Sequence, residues 1–209
     1  MREYHKIQTV FKRDPETKLK TLLYGEYSLP EFEYLSQNKW VFTEKVDGAN
    51  MRVMFADDGI EFRGKTDISQ LPGKLVKRLE ERFLPQLKTF ESSFSDGACL
   101  YGEGYGAKIQ KGGGNYRQDQ DFVLFDIKIG EWWLQRKDVE DVAHQFGLDV
   151  VPIIGTGNLL DMVEKVQVGF RSMWGNFIAE GIVARPLIEL STRNGSRIIT
   201  KIKYKDFRN

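Results

Sequence analysis

Thr43-Glu44-Lys45-Val46-Asp47-Gly48-Ala49-Asn50 is the stretch whose residue types could do covalent chemistry. Apolar residues flank it (Trp40, Val41, Phe42 before; Met51, Val53, Met54, Phe55 after). Asp-Gly favours a tight turn, so the local expectation is a hairpin of 40–46 and 49–56 with Lys45 at a strand end. A primary amine fixed there can act as a nucleophile once its surroundings allow it to lose its proton. The plain alternative is a surface lysine beside an ordinary turn.

Other pieces bear chemistry further along. Gly59-Ile60-Glu61-Phe62-Arg63-Gly64-Lys65-Thr66 satisfies the P-loop spacing. Yet Ile60 to Phe62 alternate like a strand, and Pro72-Gly73 ends any helix begun at Lys65. The alternative use of Arg63 and Lys65 is two cations at a strand end, offered to phosphate. Tyr101-Gly102-Glu103-Gly104-Tyr105-Gly106 has glycines without dinucleotide-fold spacing. Those glycines are expected to let backbone approach a ligand, leaving Glu103 for hydroxyls.

Lys111 to Asn115 reads as a mobile loop or a plain surface connector, and the segment from Lys108 to Asn115 is expected to close over a nucleotide. Asp126 interrupts the apolar run Phe122–Ile127 and needs a partner, whether a cation, a metal-bound water or a hydrogen-bond donor. Glu180 opens another strand, and Lys201, Lys203 and Lys205 alternate onto one strand face. A lysine nucleophile, separated carboxylates and a lysine-lined strand together suit attack on a nucleoside triphosphate. The carboxylates suit Mg²⁺, and neighbouring cations would favour a neutral amine at Lys45.

The elements that must position these residues follow from periodicity. Strands are expected near 4–11, 21–27, 60–64 (entered by an Asp57-Asp58-Gly59 turn), 98–103, 122–129, 131–134, 150–154, 180–185 and 197–204. Helices are expected at 31–35, 73–90 (kinked at Pro85), 137–146 capped by Gly147, and 159–168. This is one α+β domain of antiparallel sheets with helices outside. The 209 residues are 41% hydrophobic and 29% charged, with a net charge of +1, so composition argues neither for nor against nucleic acid. One cysteine and two histidines exclude a disulfide within the chain, a Cys-rich zinc site and a multi-histidine metal centre. No run has transmembrane length and the polar start is no signal peptide, so the expectation is a soluble, cytoplasmic protein.

The ordered set Lys45-x-Asp47-Gly48, Arg63-Gly-Lys65, Tyr-Gly-Glu103-Gly, Phe125-Asp126, Glu180-Gly181 and Lys201-x-Lys203 resembles the covalent nucleotidyltransferases. These are the ATP-dependent ligases and mRNA capping enzymes, and the type-2 RNA ligases common in phages are the nearest branch. Asn50, the Tyr4-His5-Lys6-Ile7-Gln8-Thr9-Val10-Phe11 opening and Lys108-Ile109-Gln110-Lys111-Gly112-Gly113 point the same way.

The resemblance implies an ATP-grasp-like adenylation domain over residues 1–209, with no C-terminal OB or helical domain. It implies an RNA ligase joining 5′-phosphate and 3′-hydroxyl ends, in RNA repair, through AMP carried on Lys45. Glu44 would meet the adenine edge, Phe125 stack on the base and Glu103 hold the ribose. Arg63 and Lys65 would meet phosphates, Lys201 and Lys203 the α-phosphate, and Glu180 and Asp126 a Mg²⁺ or Mn²⁺ ion. Asn50 is expected at the metal or the polynucleotide end. The alternatives are a DNA ligase or GTP-dependent capping enzyme of the same class, a P-loop NTPase centred on Lys65, or a non-catalytic nucleic-acid binder.

Overall fold

The computed structural model describes residues 3–56 and 59–208; the expected Asp57-Asp58 turn lies outside them. In chain order the strands are β1 (Gln8–Thr9), β2 (Phe11–Arg13), β3 (Leu22–Tyr27), β4 (Trp40–Glu44), β5 (Ala49–Ala56), β6 (Gly59–Gly64), β7 (Ala98–Gly106), β8 (Gln120–Ile129), β9 (Trp132–Trp133), β10 (Asp149–Val150), β11 (Ile153–Gly157), β12 (Gly181–Pro186) and β13 (Thr200–Lys203). The helices are α1 (Pro30–Tyr34), α2 (Gly73–Phe83), α3 (Leu87–Ser93), α4 (Arg136–Phe146) and α5 (Leu159–Val168). Contacts divide the chain into a first unit, Met1–His5 with Asp47–Val151, and a second, Lys6–Val46 with Pro152–Asn209.

The first unit is built on a sheet of order β10-β8-β7-β5-β6, with β9 on β8. Along β5 the side chains alternate. Met51, Val53 and Phe55 join a core with Leu75, Leu79, Phe83, Phe90 and Phe146 of α2, α3 and α4. That places Asn50, Arg52 and Met54 on the opposite face. Pro85 breaks the long apolar stripe as expected: α2 stops at Phe83, a 3₁₀ turn covers Leu84–Gln86, and α3 resumes at Leu87. Gly147, at φ 63°, closes α4. Fully burying a side chain such as Leu79 or Phe83 contributes about 1.5–3 kcal/mol. An exposed pair such as Lys12–Glu26 adds less than ~1 kcal/mol. The apolar alternation therefore decides which face the helices cover.

The second unit has a sheet of order β1-β13-β12-β4-β11 and a β2-β3 ribbon. Trp40 and Phe42 of β4, Ile182 and Ala184 of β12 and Ile202 of β13 pack with Leu159, Met162, Val163 and Val166 of α5. Asn158 and Asp161 form a reciprocal capping box at the start of α5. Most pairings are antiparallel, but β1–β13 and, in the first unit, β8–β10 are parallel.

Several local expectations give way to long-range pairing. The strands flanking Asp47-Gly48 form, but not as a hairpin: β4 pairs with β11 and β12, while β5 pairs with β6 and β7. The single strand expected over 150–154 is two, β10 and β11, in different sheets. Pro152 sits between them and has no N–H for a ladder. The strand expected over 4–11 shrinks to Gln8–Thr9 and Phe11–Arg13.

Candidate functional site

In the second unit, β4 pairs with β12 in the register Glu44↔Ile182, and β12 with β13 in the register Gly181↔Lys203. Lys45 extends the first ladder by one rung, its N–H donating to Gly181 O at 2.9 Å. Lys45, Gly181 and Lys203 thus form a row across three strands. Glu180, one residue before β12, clamps the row: Oε2 lies 2.6 Å from Lys45 Nζ and Oε1 lies 2.6 Å from Lys203 Nζ. A side chain at 181 is barred, because a Cβ there would lie 2.1 Å from Ile202 O.

Lys201 lies opposite Val183, two residues before Lys203 and so on the same face. Lys205 does not share that face; β13 ends at Lys203 and Lys205 belongs to a 3₁₀ turn. Glu180 stands against Lys45 alongside the lysines of β13. The direct neighbour of Lys45 is thus a carboxylate, and an opposite charge in contact favours the ammonium form. Against a reference lysine pKa of ~10.4, deprotonation near neutral pH already costs ~4 kcal/mol.

Glu44 follows the buried alternation of β4 and is 1% exposed. Its Oε2 accepts from Met173 N–H at 2.8 Å, while its buried Oε1 has no partner. Burial pushes this carboxyl above its ordinary range, against the lowering pull of the Met173 amide and the Ser172 hydroxyl. No sequence signal marked Ser172 and Met173 as its support.

In the first unit, Asn50 and Glu103 stand directly opposite each other on β5 and β7, on the face away from the helices. Asn50 Oδ1 is buried with no partner. Arg63 stands opposite Arg52 and is exposed, paired with Glu61 at 3.2 Å. Lys65 is exposed beyond the end of β6. No P-loop forms: Gly59–Gly64 is a strand and the next helix starts only at Gly73. The buried Arg52 holds the turn after β6, donating to Gly64 O and to Asp67.

Phe125 sits where the β7–β8 register slips, Tyr101 pairing with Asp126 but Gly102 with Leu124. Such a bulge re-aims a side chain. Asp126 is fully buried, and its Oδ2 accepts from Tyr4 OH at 2.5 Å. Tyr4, Tyr101, Phe125 and Trp133 form one aromatic group with centroid spacings of 5.1–5.7 Å. Burial raises the Tyr101 phenol far above its ordinary value, keeping it neutral.

Two loop expectations change. Gly102 and Gly104 serve packing, not ligand approach: a Cβ at 102 would lie 2.3 Å from the Phe122 ring and one at 104 would lie 2.5 Å from Leu75. The segment after β7 is tied down. Gln110 donates to Gly48 O and Asp47 N–H donates to Tyr116 OH, while Gly113–Asn115 forms a 3₁₀ turn. Gly48 itself lies against β7, since a Cβ would be 2.2 Å from Gly104 O. No cluster of three His, Cys, Asp or Glu able to hold a metal exists among the described residues. No helix among them is long and apolar enough to cross a membrane.

An α+β scaffold presenting a strand-end lysine in a carboxylate clamp beside further strand lysines is the arrangement of a covalent nucleotidyltransferase. Within that class the chain belongs to the RNA ligase family, whose model matches residues 38–204. No curated protein matches it. Its fold is similar to a Naegleria gruberi RNA ligase arginine-to-alanine variant with ATP and Mn (20% identity, TM-score 0.68, 97% of this chain and 56% of that one). It is similar also to the Naegleria gruberi RNA ligase with PPi (20%, 0.66, 96% and 57%). A lysine-to-methionine variant with AMP and Mn gives 18%, 0.65, 96% and 57%. This chain therefore spans less than two thirds of the length of these structures.

Proposed function

We propose that this chain catalyses ATP-dependent joining of RNA ends, its two units acting together as one nucleotidyltransferase domain. The observation that carries the proposal is the Lys45–Glu180–Lys203 clamp in a chain of the RNA ligase family. Lys45 Nζ attacks the α-phosphorus of ATP. A nitrogen–phosphorus bond forms, the bond to pyrophosphate breaks, and the ammonium loses two protons to solvent, keeping one N–H. The AMP then passes to an RNA 5′-phosphate, and a 3′-hydroxyl displaces it to close the strand, as in RNA repair.

The chain's own groups divide this work. Release of Glu180 from Lys45 frees the amine to deprotonate, while Lys201 and Lys203 stabilise charge developing on the α-phosphate. Glu44, with an unpaired buried acceptor, suits the exocyclic amino group of adenine. Glu103 suits the ribose, Asn50 the metal or the polynucleotide end, Phe125 the base, and Arg63 and Lys65 the phosphates. A bound Mg²⁺ or Mn²⁺ would supply neutralisation of phosphate charge, and Glu180 and Asp126 are the hard oxygen donors that would hold it.

The test is strand joining by the purified protein with Mg²⁺ and ATP, on 5′-labelled RNA and on DNA of the same sequence. Sealing of RNA is the expected result. Sealing of DNA nicks alone would move the protein to the DNA ligases. Covalent labelling by GTP but not ATP, without sealing, would move it to the capping enzymes.

A further inference from the structure

On the helix-covered side of the first unit's sheet lies a cavity of about 510 Å³ between α2 and the segments joining β7 to β8. Lys74, Lys77, Arg78 and Lys108 line it together with Glu81 and Asp119, and Arg78 is also paired with Asp121 at 3.0 Å. Glu103 and Asn50 lie on the other face of the same sheet. Lys77 reaches Glu81 at 3.9 Å with both side chains mostly exposed, an interaction worth a few tenths of a kcal/mol. Lys74 and Lys108 make no ion pair among the described residues. Like charges gathered this way repel unless an anion joins them, so the cavity is built for a polyanion.

The polar atoms at its wall narrow the ligand further. Arg78 gives Nη2 to Asp121 at 3.0 Å, but its buried Nε has no partner and is a donor suited to a phosphate oxygen. Gln120 is 8% exposed. Its Nε2 donates to Ala107 O at 2.7 Å, which fixes the amide orientation, and its buried Oε1 is left without a donor. A phosphate carries no hydrogen to offer that oxygen, whereas a ribose hydroxyl does. Lys108 is held at φ 69°, a left-handed conformation in which a lysine is strained, as residues at ligand-binding positions often are.

We infer that this cavity docks the ribose–phosphate backbone of an RNA strand, as a second contact apart from the nucleotide site. The inference rests on the ligase reading for the identity of the polymer. The segment that supplies Lys108 and Gln118 to the cavity also holds the Asp47–Gly48 turn through Gln110 and Tyr116. A docked strand would therefore steady the turn that follows the nucleophile.

The experiment measures binding of a short fluorescent 5′-phosphorylated RNA by anisotropy across a salt series, for wild type and Lys74→Ala/Lys77→Ala. Both lysines are exposed on α2, so folding is retained. The expected result is about tenfold weaker binding at low salt and a salt slope shallower by about 1.4, two phosphate contacts at ~0.7 each. AMP labelling of Lys45 would be unchanged. Equal affinity and slope in the two proteins would overturn the inference. So would equal binding of RNA and DNA of one sequence, or full displacement of the RNA by millimolar inorganic phosphate at constant ionic strength. Absence of AMP label on wild type would sink the ligase reading separately, leaving the anisotropy to decide the cavity.

Discussion

Two carboxylates in this protein each gather several cations, and they do so for different ends. Asp121, in the first unit, accepts from Arg78 at 3.0 Å, Arg82 at 2.7 Å and Arg117 at 2.9 Å. Its own Phe122 N–H adds another hydrogen bond. Burial alone would raise its carboxyl, but the Arg78 and Phe122 hydrogen bonds and the Arg82 charge together hold it below the usual range. Glu180, in the second unit, meets two lysines at 2.6 Å each. Arginine stays charged and binds through a rigid fork, whereas a lysine amine can lose its proton and attack. The arginine cluster is a fastening between α2 and β8. The lysine cluster holds Lys45, the nucleophile proposed above.

The sharpest break in this comparison comes from Glu180→Gln. It removes the charge that holds both lysines and the oxygen donor offered to a cation. AMP transfer to Lys45 should fall on the order of a hundredfold, as when a preorganised electrostatic group is removed, with the urea midpoint little changed. Asp121→Asn should do the reverse. Leaving arginines around an uncharged buried group should cost about 2–3 kcal/mol of stability, at the low end for a broken buried pair because the arginines are partly exposed. AMP transfer at a permissive temperature should survive.

Acid titration sharpens the contrast. A carboxyl depressed in the folded state contributes stability that is present above its unfolded pKa of ~3.9 and is lost as pH falls through the folded value. Wild type should therefore lose stability below about pH 4 more steeply than Asp121→Asn, read from urea midpoints at successive pH values. The smallest effect is expected at Glu44. Its raised folded pKa means the fold binds the proton more tightly than the unfolded chain, so stability declines as pH rises through that value and the penalty persists at neutral pH. Glu44→Gln should lift the neutral-pH urea midpoint slightly while weakening preference for ATP over GTP.

Much of this was legible in the chain because it depends on near neighbours. The stripe ending at Pro85, the Gly147 cap and the β8–β9 turn at Gly130 follow from local periodicity and φ preference. The order of Lys45, Glu180 and Lys203 could be read, but not that one carboxylate would hold both amines. Asp-Gly suggested a hairpin, and locally the suggestion is sound. Sheet pairing overrode it: β4 pairs with β11 and β12, far off in sequence, and β5 with the distant β7 and the adjoining β6. Gly48 is needed instead for its close approach to Gly104 O. The Tyr4 hydroxyl that holds Asp126 lies 122 residues away, and no spacing rule reaches that far.

The central claim is that Lys45 is the covalent nucleophile, and the most direct test is transfer of label from α-³²P-ATP in Mg²⁺ to protein that is then denatured. An acid-labile AMP on the peptide containing Lys45, and none in Lys45→Ala, is the expected result. Label retained in that variant, or no covalent label on wild type, would contradict it.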